Sequence, residues 1–147
     1  MIVTFCGHSE IFNKTEELEN EILKILKSEA NQKKVIFYLG NYGAFDYIAL
    51  KACTKFKEYN KNCKSIFVTP YRDEKYLKLR KDARYDEIIY PEINTPKKFA
   101  ILKRNYWMVE QADLIISYVK LSWGGAAKSL EYATKLNKRI INIASSF

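Results

Sequence analysis

The chain has 147 residues, 48% of them hydrophobic, which suits one compact domain over residues 1–147. No run of about 18 apolar residues occurs, so a membrane-spanning helix is not expected. The start, MIVTFCGHSE, lacks the charged and apolar regions of a signal peptide, and a cytoplasmic protein is the expectation. The net charge of +8 admits an anionic partner, but the lysines are scattered along the chain, and a solvated lysine-rich surface is the simpler account.

Three cysteines, Cys6, Cys53 and Cys63, form no CxxC pair and read as reduced, mostly buried thiols. His8 is the only histidine, so a zinc site has almost no ligands to draw on, and no metal or cofactor is expected.

Apolar periodicity alternates between strand and helix along the chain. IVTFC (Ile2–Cys6) reads as a strand. The following segment, Asn13–Ala30, carries Leu18, Ile22, Ile25 and Leu26 at helical spacing, with Asn13 or Thr15 as candidate N-caps. KVIFYLG is a second strand, ended by Gly40, and AFDYIALKACTKFKEYN a second helix. SIFVTP is a third strand, stopped by Pro70. DEKYLKLRKDA suggests a short helix, and EIIYP a fourth strand. Pro96 can open a helix over PKKFAILKRNYWMVEQA. DLIISYV is a fifth strand, a helix led by Gly124 and Gly125 follows it, and RIINIA is a sixth strand. Apolar strands joined by amphipathic helices imply an α/β fold: a three-layer, Rossmann-like domain. Its mostly parallel sheet would have about six strands, with helices on both faces.

Ligands of such sheets bind beyond the carboxyl ends of the strands, near the switch in strand order. Gly7 and His8 follow the first strand. After the second, Gly40 and Gly43 flank a short loop leading into a helix whose N–H groups could hold an anion. Phe45 could stack on a base or simply pack, and Asp46 could cap the helix or accept from a ribose hydroxyl. Tyr71 and Arg72 follow the third strand, and Tyr71 could wall a pocket. Arg104 and Asn105 precede the fifth strand. Arg104 could bind a phosphate bidentately or lie over the neighbouring aromatic side chains. Asp113 is placed to order the start of the fifth strand. Gly124 and Gly125 open the last helix, where free N–H groups and the helix dipole favour an anion. Lys128 could add charge there, while Glu131 is either an exposed acid near a helix start or a functional carboxylate.

Four stretches in this order, FCGHSE, GNYGAFD, RNYWMVEQADLIISYV and GGAAKSLEYA, resemble the SLOG superfamily, and in particular small bacterial and phage SLOG proteins. The likeness spans nearly the whole chain. It implies a Rossmann-like domain that binds a nucleotide or nucleotide-derived small molecule as a sensor or sequestering module. In the LOG-type phosphoribohydrolases of this superfamily, an Arg and the Glu of a PGGxGTxxE segment act on an N-glycosidic bond. Arg104 and Glu131 fall on those positions, and Gly124 and Gly125 on the paired glycines. Trp123 replaces the proline, Ala127 the third glycine and Lys128 the threonine, which counts against hydrolysis more than against binding. The resemblance also implies a homodimer, with NYWMVEQ as the contact or as the domain's own core. Binding of single-stranded DNA is a further alternative, although the chain has no dense basic stripe.

Overall fold

A computed structural model of the chain describes residues 1–72 and 82–147. Six strands form one sheet: β1 (Ile2–Gly7), β2 (Val35–Leu39), β3 (Cys63–Val68), β4 (Glu87–Ile89), β5 (Leu114–Tyr118) and β6 (Arg139–Asn142). Every pairing is parallel, in the order β4-β3-β2-β1-β5-β6. The described residues hold four α-helices: α1 (Thr15–Glu29), α2 (Ala44–Phe56), α3 (Ala100–Gln111) and α4 (Gly125–Lys135). The helix expected over DEKYLKLRKDA falls largely on residues 73–81, outside the described residues.

The central strands are mainly apolar because both faces of the sheet are covered. On one face, Leu18, Ile22 and Leu26 of α1 and Phe45, Ile48 and Ala52 of α2 pack with Phe37, Phe67 and Leu114. On the other, Val109 of α3 and Ala133 of α4 meet Cys6 and Ile115. The edge strands β4 and β6 are correspondingly more exposed. Cys6 and Cys53 are buried free thiols and Cys63 is half-buried.

Two polar devices set the strand ends. Asp113 accepts from the Ile2 N–H at 2.7 Å while its own N–H donates to the Ile2 carbonyl at 2.8 Å, so it locks β1 against the start of β5 as expected. α1 begins differently from the expectation: Lys14, in the left-handed region at φ 59°, occupies the N-cap, and neither Asn13 nor Thr15 caps it. Glu16 and Glu17 in its first turn complement the dipole instead. On its buried side, Glu19 is paired with both Lys51 and Lys55 of α2.

The chain builds outward from β1 in one direction through β2, β3 and β4, then returns to the other side of β1 as β5 and β6. The reversal lies between β1 and β5, and in such sheets it leaves a crevice at the carboxyl ends of those two strands.

Buried Asn60 holds the opposite end of the sheet. Its Nδ2 donates to the carbonyls of Ala30 at 3.0 Å and Lys33 at 2.8 Å, and its Oδ1 accepts from the Asn62 N–H at 2.9 Å. Asn60→Ala leaves these backbone groups unpaired. It is expected to lower stability by about 2 kcal/mol in urea unfolding; a loss near zero would show that water replaces the bonds.

Candidate functional site

The crevice is an open cleft of about 680 Å³. Phe5, Cys6, Gly7 and His8 at the end of β1 form one part of its lining, and Ile101, Leu102, Arg104 and Asn105 of α3 another. Gly124, Gly125, Ala126 and Ser129 at the start of α4 close a third side, and Tyr42 and Asp46 come from the segment after β2.

Arg104 is 1% exposed, the bulkiest of the fully buried side chains. Its Nη1 donates to the carbonyls of Gly40 at 2.9 Å and Val68 at 2.8 Å, and its Nε donates to Asn105 Oδ1 at 2.9 Å. Neither expected role, a surface side chain over the aromatics or an open phosphate fork, describes this arrangement. Arg104 ties α3 to the carboxyl ends of β2 and β3 while still bordering the cleft. Gly40 is required by this packing: a Cβ there would stand 3.0 Å from Asp46 Oδ2 and 3.2 Å from the Arg104 guanidinium. Asn105 uses its oxygen on Arg104, and its Nδ2 has no protein acceptor among the described residues.

Asp46, in the first turn of α2, accepts from the Tyr42 N–H at 2.9 Å and so fixes the preceding loop. Burial pushes its carboxyl up from 3.8 to about 6, against the opposing pull of Arg104 and of the Tyr42 N–H.

The two glycine-led helix starts behave differently. At α2, the Ala44 N–H donates to the Ser9 carbonyl at 2.8 Å and the Phe45 N–H to the His8 carbonyl at 3.3 Å. Gly43, at φ 95°, lets Ser9 approach, since a Cβ there would lie 2.6 Å from Ser9 Cα. The loop after β1 thus occupies the place expected for an anion at Gly40 and Gly43, and neither glycine lines the cleft. Phe45 is fully buried beneath Gly7, whose added Cβ would meet the ring at 2.3 Å, and it stacks on Tyr118. It is a core residue and has no face for a base.

At α4 the start is open. Gly124, at φ 94°, occupies the N-cap with no side-chain cap bond, and the first turn's N–H groups lie beyond the reach of the helix's own carbonyls. A Cβ at Gly124 or Gly125 would meet nothing within 4 Å. Gly125 does not have a positive φ, so neither backbone strain nor packing calls for glycine there.

His8 also borders the cleft. Its Nε2 accepts from the Lys120 N–H at 2.8 Å, which fixes the loop after β5, and burial together with Lys120 lowers its pKa. The imidazole is therefore neutral near pH 7, with its proton on Nδ1. Tyr71 lies outside the lining, its N–H on Thr69 Oγ1 and its hydroxyl reaching the Lys97 carbonyl at 3.4 Å. Lys128 is exposed and outside the lining. The Glu131 side chain is 69% exposed and 3.6 Å from Lys135 on the same helix. The structure does not bring Glu131 into the cleft beside Arg104.

Phe12, Tyr42, Leu121 and Trp123 border the cleft and lie outside the expected set. Their signal in the sequence is a large apolar residue in each loop that follows β1, β2 and β5. The NYWMVEQ segment largely serves the domain itself. Met108 and Val109 are buried, Tyr106 stacks on Tyr132 at 4.3 Å, and Trp107 meets Tyr38 at 5.2 Å.

The raised Asp46 carboxyl has a consequence for stability. Its contribution is complete below about pH 4 and is lost as pH rises through about 6, because the folded state holds its proton more tightly. Asp46→Asn keeps an acceptor for Tyr42 and removes that slope. The variant is expected to gain on the wild type by on the order of 1 kcal/mol between about pH 5 and pH 7.5 in urea titrations. Parallel curves would assign the titration to another group.

No protein-family model matches the chain, and comparison with curated protein sequences finds no match. Solved structures do match. DNA processing protein A from Streptococcus pneumoniae aligns at TM-score 0.68 and 16% identity, over 94% of this chain and 48% of that one. DNA processing protein A from Helicobacter pylori, described for its single-stranded DNA binding mode, aligns at 0.65 and 16%, over 95% and 63%. The molybdenum cofactor carrier protein from Chlamydomonas reinhardtii aligns at 0.60 and 14%, over 95% and 74%. The chain thus spans about half to three quarters of the proteins it resembles. At such identities the likeness establishes architecture alone: the chain shares the Rossmann-like fold of these proteins.

Proposed function

We propose that the chain binds a nucleotide or nucleotide-derived small molecule in the cleft at the carboxyl ends of β1 and β5, and thereby senses or sequesters it. The observation that carries this reading is Gly125. Its place on the cleft wall, without strain and without a neighbour for a Cβ, leaves room beside the uncapped start of α4. Two peptide N–H groups at a helix start, approached closely, suit a phosphate. Asn105 Nδ2 and the neutral imidazole of His8 supply further donors at the border of the same space. The cleft volume lies within the roughly 300–1,000 Å³ typical of small-molecule sites.

Glycosidic cleavage needs a carboxylate at the developing sugar cation. Glu131, the residue at the position of the superfamily's Glu, is exposed and ion-paired outside the lining, and Asp46, which borders the cleft, is engaged by the Tyr42 N–H, so we read the site as one for binding.

Isothermal titration with nucleoside 5′-monophosphates tests the proposal. Gly125→Ala should leave the unfolding transition in place, since an added Cβ there meets nothing within 4 Å. It should weaken binding at least roughly tenfold by filling the phosphate approach. Equal binding by the variant, or no binding by the wild type, overturns the assignment.

A further inference from the structure

Three of the most exposed aromatic side chains stand around one opening. Phe12 is 90% exposed, Trp123 67% and Tyr42 57%, and all three border the cleft. They come from three different loops, those after β1, β2 and β5. Among the described residues, none of the ring pairs involves any of them. Phe37, Phe45, Phe56 and Phe67 are by contrast wholly covered, while Tyr47, Tyr59 and Phe99 are exposed elsewhere on the surface. Leaving three rings in water at one mouth forgoes burial that the fold obtains elsewhere.

Two of the rings also neighbour positive-φ residues. Tyr42 lies between Asn41 at φ 47° and Gly43 at φ 95°, and its N–H is fixed by Asp46. Trp123 precedes Gly124 at φ 94°. Non-glycine residues at positive φ are uncommon and raise the local energy. Asn41 is such a residue, directly before the exposed Tyr42 ring.

Resting on the nucleotide reading of the same cleft, we infer that Phe12, Tyr42 and Trp123 are the base-recognition element, and that the ligand class is one with a planar nucleobase stacked at the mouth. The occupant follows from the combination of chemistry in one lining, which holds the amide donors of the α4 start together with three aromatic side chains. A nucleotide combines the same two requirements, an anionic group and a flat π-system. Stacking on such rings tolerates any base, so the element selects for the presence of a base more than for its identity.

The test compares AMP, GMP, CMP and UMP with ribose 5-phosphate, which keeps the phosphate and sugar and lacks the base. Each is titrated into the wild type, Phe12→Ala and Trp123→Ala. At least one nucleotide should bind roughly tenfold tighter than ribose 5-phosphate. Each rim variant should lose roughly tenfold for that nucleotide while holding ribose 5-phosphate within about twofold. In a Trp107→Phe background, Trp123 is the remaining tryptophan, and its fluorescence should be quenched by the nucleotide and not by ribose 5-phosphate. If ribose 5-phosphate binds as tightly as the nucleotides and the rim variants change nothing, the stacking role is overturned while the phosphate site stands. If no probe binds, both readings fall. If sedimentation shows a wild-type dimer that the rim variants dissociate, the rings are a self-association contact and the inference is overturned.

Discussion

A buried guanidinium organises the carboxyl edge of this sheet. Arg104 reaches from α3 to the last carbonyl of one strand end and to that of its neighbour, at Gly40 and Val68. Strand ends have carbonyls with no further partner in the ladder, and a buried carbonyl without one is costly. Arginine suits the position because its planar fork serves several acceptors at once and its charge is not titrated away. The charge then needs compensation, and Asp46 lies on the other side of Gly40. The absence of a side chain at Gly40 follows from these two groups, and so does the placing of the loop that carries Tyr42. One side chain therefore fixes α3 against the carboxyl ends of β2 and β3.

The sheet has two helix starts that look alike in sequence, and only one is open. The difference lies in the loop after β1. Its carbonyls at His8 and Ser9 turn onto the N–H groups of α2, which closes that start with protein. The same loop presents His8 Nε2 to the backbone of Lys120 and draws the loop after β5 toward β1. A single turn following β1 thus seals one potential anion site and frames the other. The buried Phe45 under Gly7 completes the seal, since its ring fills the space a side chain at Gly7 would need. The cleft is left bordered by α4, α3 and the tip of β1.

Much of this was legible in the residues. The strands announce themselves as mainly apolar runs because both faces are buried, and the reversal beside β1 places the cleft where the chain's glycines cluster. Asp113 was readable as an organiser of strand ends because an acid just before a buried strand has backbone N–H groups within reach. Other features depended on facts the local pattern does not hold. Whether Gly43 or Gly125 opens onto space is decided by a loop more than thirty residues away from Gly43 in sequence. The burial of Arg104 depends on carbonyls from β2 and β3. Glu131 was readable in principle: Ser129 and Ala133 are buried one turn apart, so a residue midway between them faces the opposite side of the helix. Lys128, Glu131 and Lys135 accordingly form one exposed stripe. The aromatic mouth was hidden by a different prior, since large apolar side chains in a 147-residue chain are first assigned to the core.

The electrostatics of the cleft separate recognition from attraction. The chain carries +8 overall, yet Asp46 and Glu10 border the cleft along with Lys98 and Arg104, and Arg104 is already engaged by carbonyls. Formal charge in the cleft is close to balanced. The surface excess of lysine can hasten the arrival of an anion and falls away with salt, but it does not orient one. Orientation has to come from fixed dipoles: the amides at the start of α4, the Asn105 carboxamide and the imidazole held by Lys120. Such groups discriminate by direction and distance, so the proposed site would distinguish a phosphate by where it sits and not merely by its sign. On that proposal, a methyl-sized change at Gly125 is expected to bear on binding more than the loss of a surface lysine such as Lys128.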